Sequence, residues 1–108
     1  MSEPCVTVYV TAADTAAAEA LGRALVGERL AACANVLPGV VSIYRWEGEL
    51  RRAAEVALLL KTRAALFERL QQRVKALHDY DVPCVVAWPI VDASQDYLEW
   101  VCAETRPD

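Results

Sequence analysis

Val6, Val8 and Val10 alternate with Cys5, Thr7 and Tyr9, and this two-residue period in β-branched and aromatic side chains predicts a strand over residues 5–11. From Thr15 the period lengthens. Ala17, Leu21, Ala24, Leu25 and Glu28 recur at helical spacing in an alanine-rich background, which predicts a helix over 15–29 with Asp14 or Thr15 as its cap. Ala34 to Leu37 reads as extended, and Pro38-Gly39 interrupts it. Proline lacks the ladder donor and glycine packs nothing, so the pair predicts a bulge or bend within a long strand. Val40 to Thr62 then reads as one long β-hairpin. Val41 and Ile43 alternate with Ser42 and Tyr44, Glu47-Gly48-Glu49 supplies the reversal, and the second arm carries Ala54, Val56, Leu58 and Leu60 on one face. Its other face carries Glu55, Ala57, Leu59 and Lys61, so the middle of this arm is apolar on both sides and should be buried on both.

After Thr62, Leu66, Phe67, Leu70, Val74 and Leu77 form an apolar stripe opposite Glu68, Arg69, Gln71, Gln72 and Arg73, a second amphipathic helix that stops near His78-Asp79. Residues 82–91 are almost continuously apolar and predict a fourth strand, with Pro89 where no ladder donor is required. Asp92 to Gln95 turn the chain, and Tyr97, Leu98 and Val101 predict a short last helix ending before Arg106-Pro107. Strand, helix, strand, strand, helix, strand and a terminal helix is the α+β, ferredoxin-like split βαβ order (β-α-β-β-α-β plus a C-terminal helix), built around a long hairpin between the second and third strands. The 108 residues form a single expected domain. Right-handed crossovers place both main helices on one face and leave the other open. A lone chain would then expose apolar side chains of two strands, more than soluble monomers usually tolerate. The expected remedy is self-association, with the hairpin tip projecting onto a neighbour.

Composition narrows the partners. A net charge of −4 and a pI near 5.0, with eleven basic residues scattered among acids, make nucleic acid an unfavourable partner. Glu3 stands where a signal peptide needs positive charge, and no apolar run approaches a membrane span, so a cytoplasmic protein without membrane attachment is expected. Cys5, Cys33, Cys84 and Cys102 form no Cys-x-x-Cys pair, which argues against a zinc knuckle or a thioredoxin-type site and favours reduced, partly buried thiols.

Several stretches together carry a resemblance. Glu28-Arg29-Leu30-Ala31-Ala32-Cys33-Ala34-Asn35-Val36, Pro38-Gly39, Ser42-Ile43-Tyr44-Arg45-Trp46-Glu47-Gly48, Glu55 with Leu58 to Thr62, and His78-x-Tyr80-x-x-Pro83 resemble the CutA divalent-cation tolerance family over essentially the whole chain. The resemblance implies a ferredoxin-like protomer in a tight homotrimer and a function linked to tolerance of copper and other divalent metals. The architecture is also similar to the trimeric PII signalling proteins, which bind small effectors between subunits, an analogy of fold alone. One departure stands out: where the family pattern has a glutamate after the proline, this chain has Cys84. A thiol in place of a carboxylate shifts metal preference toward softer ions.

The candidate chemistry follows from these residues. His78, the only histidine, is either a helix-terminal imidazole bonded to the last carbonyls or, with Cys84, a ligand for a weakly bound divalent metal such as copper; no cofactor is required. Glu55 and Lys61 lie six residues apart on one strand, roughly 20 Å at about 3.3 Å per residue, too far to pair within the chain. They are either solvated strand ends or contributors, with Tyr44, Trp46 and Tyr80, to a ligand-binding cleft between subunits. Three functional classes follow: a non-catalytic trimer in metal tolerance, a sensor or scaffold that binds a small effector or partner protein at those clefts, and an enzyme using Lys61, Glu55, His78 or Tyr80 as acid-base groups. No glycine-rich phosphate loop or Ser-His-Asp order supports the third, and a non-enzyme is expected.

Overall fold

A strand that begins with alternating valines lies at the centre of the sheet. In the computed structural model, which describes residues 3–106, β1 spans Cys5–Ala12 and is flanked on both sides by antiparallel partners. Met1 and Ser2, at the head of the stretch read for a signal peptide, and Pro107, expected after the last helix, lie outside the described residues. The other elements are α1 (Thr15–Gly27), β2 (Cys33–Trp46), β3 (Glu49–Arg63), a 3₁₀ turn (Ala64–Leu66), α2 (Phe67–Leu77), β4 (Val85–Pro89) and α3 (Gln95–Glu104). The sheet order is β2-β3-β1-β4, so each helix connects two parallel strands with a third inserted between them.

The valines of β1 and the matching positions of β3 meet the helices on one face. Val8, Val10, Leu58 and Leu60 pack with Leu21 and Leu25 of α1 and Leu70 and Val74 of α2 in one cluster, all buried. The close approach of α1 depends on Gly22: a Cβ there would stand 3.1 Å from the Ala34 Cβ and 3.4 Å from a Leu58 methyl. The second face is not wholly open, as expected from the crossovers alone, because α3 folds over one end of it. There Val101 and Cys102 pack on Cys5 and Ala32. The remainder stays uncovered, leaving Val86 and Trp88 43% and 48% exposed.

Three boundaries differ from the sequence expectation. First, α1 ends two residues early. Arg29 adopts φ 61°, and the Leu30 N–H bonds the Leu25 carbonyl while the Arg29 N–H bonds that of Val26, a Schellman closure in which the buried Leu30 pulls the chain into the core. Second, the hairpin is longer than the stretch 40–62, because Cys33 to Leu37 already pair with β3 before the interruption. Third, β4 is shorter than 82–91: Val82 to Cys84 lie outside it, with Pro83 supplying no ladder donor. The expected bulge is present. Leu37 pairs with Ala57 and Val40 with Glu55, so Pro38 and Gly39 oppose a single residue, with Gly39 at φ 90°. At the tip Glu47 and Gly48 adopt φ 51° and 80°, the type I′ geometry of a two-residue hairpin loop. The 14- and 15-residue arms explain the elongated outline, 47 Å in its longest dimension against 25 and 22 Å in the others.

Among the described residues one buried side-chain oxygen is unsatisfied. Thr62 is fully buried and its hydroxyl lacks a hydrogen-bond partner. Thr62→Val keeps the shape and removes the stranded hydroxyl, so the folded state is expected to gain about 1 kcal/mol. A urea midpoint that moves down in this variant would contradict that reading.

Candidate functional site

The bulge determines which side chains share a face. Before it, Asn35 and Leu37 lie on the sheet face away from the two main helices. After the extra residue the alternation is inverted, and Ser42, Tyr44 and Trp46 lie on that face with Glu55. The loop after α2 brings Tyr80 to Cys84 against the same region. Together with Tyr9 and Thr11 of β1 these residues line a cleft of about 640 Å³ at the root of the projecting hairpin.

A chain of hydrogen bonds fixes the loop. The Tyr80 hydroxyl donates to a Glu55 carboxylate oxygen at 2.8 Å. The Tyr80 N–H donates to His78 Nδ1 at 3.1 Å, so the proton of the neutral ring sits on Nε2, which donates to the Thr11 carbonyl at 2.7 Å. The two rings also touch, with centroids 4.5 Å apart. Burial, followed by the hydrogen bond to Glu55 and that carboxylate's charge, pushes the Tyr80 phenol up to about 12. Burial and the same carboxylate raise the Cys84 thiol, which therefore remains protonated near neutral pH rather than becoming an activated nucleophile.

The raised phenol makes a pH prediction. Between about pH 10 and 12 an unfolded Tyr80 loses its proton while the folded one keeps it, so stability falls with rising pH across that interval. In an ultraviolet titration of tyrosinate, Tyr80→Phe is expected to remove a component near pH 12; loss of a component near pH 10 instead would show that Glu55 does not hold the phenol.

Of the residues singled out in the sequence, the fold brings Tyr44, Trp46, Glu55, Tyr80 and Cys84 to one cleft. Lys61 is not among them within a protomer. Its ammonium donates to Asn35 Oδ1 at 2.6 Å, on the far side of the bulge. The expected partnership of His78 with Cys84 is also not formed, since His78 faces a separate, alanine-walled hollow of about 260 Å³ between α1 and the end of α2. With both ring nitrogens hydrogen-bonded, His78 acts as a brace for Tyr80. Among the described residues no three His, Cys, Asp or Glu side chains group closely enough to enclose a metal ion, so a closed chelating site does not fit one protomer. Tyr9, Thr11, Ser42, Arg51 and Asp81 were missed as cleft residues. Two could have been found: counting back from the two-residue turn places Arg51 opposite Tyr44, and the β1 alternation places Tyr9 on the second face.

Comparison with known proteins places this geometry in context. A family profile described as CutA1 divalent ion tolerance protein matches residues 6–104. The divalent-cation tolerance protein CutA of Thermus thermophilus is 47% identical over 98 residues, covering 91% of this chain and 95% of that protein. The chloroplastic protein CutA of Arabidopsis thaliana is 46% identical over 95% of this chain, which spans only 57% of that relative's own length. Among solved structures, CutA1 from Oryza sativa superposes with a TM-score of 0.94 at 43% identity, covering 99% of this chain and 98% of that one. The divalent cation tolerance protein of Thermus thermophilus superposes with a TM-score of 0.92 at 45% identity, over 94% of this chain and 99% of that one.

Proposed function

Since this chain belongs to the CutA1 divalent ion tolerance family, we propose that it acts in divalent-cation tolerance as a non-catalytic homotrimer. The observation that supports assembly is the apolar surface left uncovered by one chain. Val41, Ile43 and Leu50 on one side of the free hairpin are 52%, 69% and 72% exposed, and Val86 and Trp88 lie bare on the sheet's second face. Such surface is costly in water at about 25 cal/mol per Å², and a second copy presents matching strands and edges. Sedimentation equilibrium tests this directly. A folded monomer at micromolar concentration would refute it, and a dimer would refute the trimer.

In this reading the cleft at the hairpin root is completed by the neighbouring subunit and holds a divalent ion, copper among them, only weakly. Within one chain it offers the Cys84 thiol beside the Glu55 carboxylate, with Tyr80 braced by His78. Calorimetric titration of the reduced protein with copper, compared with Cys84→Ser and His78→Ala, separates the roles. Cys84→Ser is expected to weaken binding through loss of a ligand, and affinity unchanged in both variants would remove the cleft as the metal site. A cytoplasmic location fits the four free thiols. Relatives are described from other compartments, chloroplastic in Arabidopsis thaliana and periplasmic in Archaeoglobus fulgidus. Among the described residues no helix is long and apolar enough to cross a membrane.

The volume and lining of the cleft favour a second reading, in which the trimer is a sensor or scaffold that binds a small effector or partner protein. Aromatic walls with a few converging polar groups are the usual make-up of small-molecule sites. Saturable thermal stabilisation by a nucleotide or anionic metabolite, with chelator present, would establish this reading over metal binding.

A further inference from the structure

The walls of the cleft at the hairpin root are largely aromatic. Tyr9 comes from β1, Tyr44 and Trp46 from β2 and Tyr80 from the loop after α2, so four rings from three separate segments line one space of about 640 Å³. Tyr9 and Tyr80 are already in ring contact with Trp88 and His78, at centroid separations of 5.3 and 4.5 Å. Tyr44 and Trp46 are 42% and 38% exposed, which leaves their ring surface open to an occupant. An aromatic face carries the negative lobe of the ring quadrupole and attracts a cation.

The formal charges point the same way. Glu55 of β3 and Asp81 of the loop bring two carboxylates to the lining, and the Tyr80 hydroxyl engages one of the two Glu55 oxygens. Among the described residues Arg51 is the one basic side chain in that lining, and its guanidinium is held by Glu49 at 3.3 Å and Glu47 at 3.9 Å. Lys61 is committed to Asn35 beyond the bulge, and His78 is hydrogen-bonded through both ring nitrogens to Thr11 and Tyr80. An anion entering the cleft would meet two carboxylates and a guanidinium already paired. A divalent metal gains little from the rings, which offer it no lone pair, in keeping with weak retention.

We propose that the cleft is a site for a small organic cation bearing a quaternary or alkylated ammonium group, seated against Tyr44 and Trp46 with Glu55 and Asp81 supplying the counter-charge. This rests on the reading of the cleft as a small-effector site and names the chemical class of the effector. An alkylated ammonium spreads one charge over a large apolar surface, so removing its hydration shell costs less than for a compact ion, and it needs no directional donor. Rings and carboxylates serve its two halves. The rings meet the alkyl groups and the charge at once, the carboxylates balance the charge from the side of β3 and the loop, and Val82 and Pro83 in the same lining meet an apolar tail.

The test is a calorimetric titration of the full chain with phenyltrimethylammonium, a metal chelator being present, beside para-tert-butylbenzoate, an anion of similar size and shape. Saturable binding of the cation and none of the anion is expected. Glu55→Gln keeps an oxygen for the Tyr80 hydroxyl but removes the charge, and is expected to weaken the cation about tenfold. Trp46→Leu is expected to weaken it about threefold to thirtyfold, the range of one cation–π contact. Glu19→Gln, the same charge change at an exposed position of α1, is expected to leave the affinity unchanged. Asp81→Asn, at an exposed loop position, takes the place of Glu55→Gln if that variant does not fold. Equal binding of both probes, or cation binding unchanged in Glu55→Gln and Asp81→Asn, would overturn the proposal. Binding of the benzoate or of a nucleotide without the cation would overturn it and leave the small-effector reading standing, whereas no binding of any of the three at millimolar concentration would remove both.

Discussion

Deletion of Gly39 is expected to weaken the self-association by straightening the hairpin, while leaving its strand register and the helix-covered core intact. Pro38 and Gly39 together oppose one residue of β3, and that extra residue bends the arm and increases its local twist. Remove it and Pro38 alone opposes Val56, while the pairs from Val40–Glu55 to Trp46–Glu49 persist, so Ser42, Tyr44 and Trp46 keep the face they share with Glu55. The turn holds this register, because a two-residue type I′ loop pins Trp46 opposite Glu49. The core has no stake in this segment: Val8, Val10, Leu58 and Leu60 pack against α1 and α2 on the near side of the bulge. The variant should keep its far-ultraviolet circular dichroism and sediment as a weakened assembly, because the projecting arms are re-aimed once the bend at the bulge is lost. An assembly as stable as wild type would mean that the bend at the bulge is not what the interface reads.

The second large effect is expected at Leu58. This side chain is fully buried in β3, between Val10 of β1 and Val36 of β2, beneath Gly22 of α1. Leu58→Ala removes about 2–5 kcal/mol, the range for large-to-small changes in a tight core, out of roughly 5–15 kcal/mol typical of a domain. Gly22 makes the prediction more specific. In the wild type a Cβ at position 22 meets Ala34 at 3.1 Å and Leu58 at 3.4 Å, so Gly22→Ala trades a helix-propensity gain of about 1 kcal/mol against crowding. With Leu58 truncated one of those two neighbours is gone. Gly22→Ala is therefore expected to be more favourable in the Leu58→Ala background than alone, as measured by a double-mutant cycle in urea. Strict additivity would show that α1 does not feel the Leu58 methyl.

The sequence by itself determined most of the element order, because its periods are unambiguous. Valines at every second position of β1, the apolar stripe of α2 and the Asp14 cap, whose carboxylate accepts the Ala17 N–H at 2.8 Å, are local signals with local causes. The bulge and the hairpin turn were legible for the same reason: Pro38-Gly39 and Glu47-Gly48 are chemical statements about backbone torsions. Where sequence reasoning erred, a distant partner decided. α1 ends early because Leu30 is drawn into a core formed by residues from β1, β3 and α2. α3 covers one end of the second face because Cys102 and Val101 find Cys5 and Ala32, and no period in the chain announces that meeting. The cleft lies between these cases. Glu55, Tyr44, Trp46 and Tyr80 were named from the chain, yet their convergence depends on the register of the bulged hairpin and on two hydrogen bonds at His78, one donated to Thr11 and one accepted from Tyr80. Lys61, on the same strand face as Glu55, was left out for a reason of distance alone: about 3.3 Å per residue carries it past the bulge to Asn35. Residue type and period are written locally and can be read locally; which side chains meet is set by register and by burial against elements far away in the chain, and only the folded sheet supplies those.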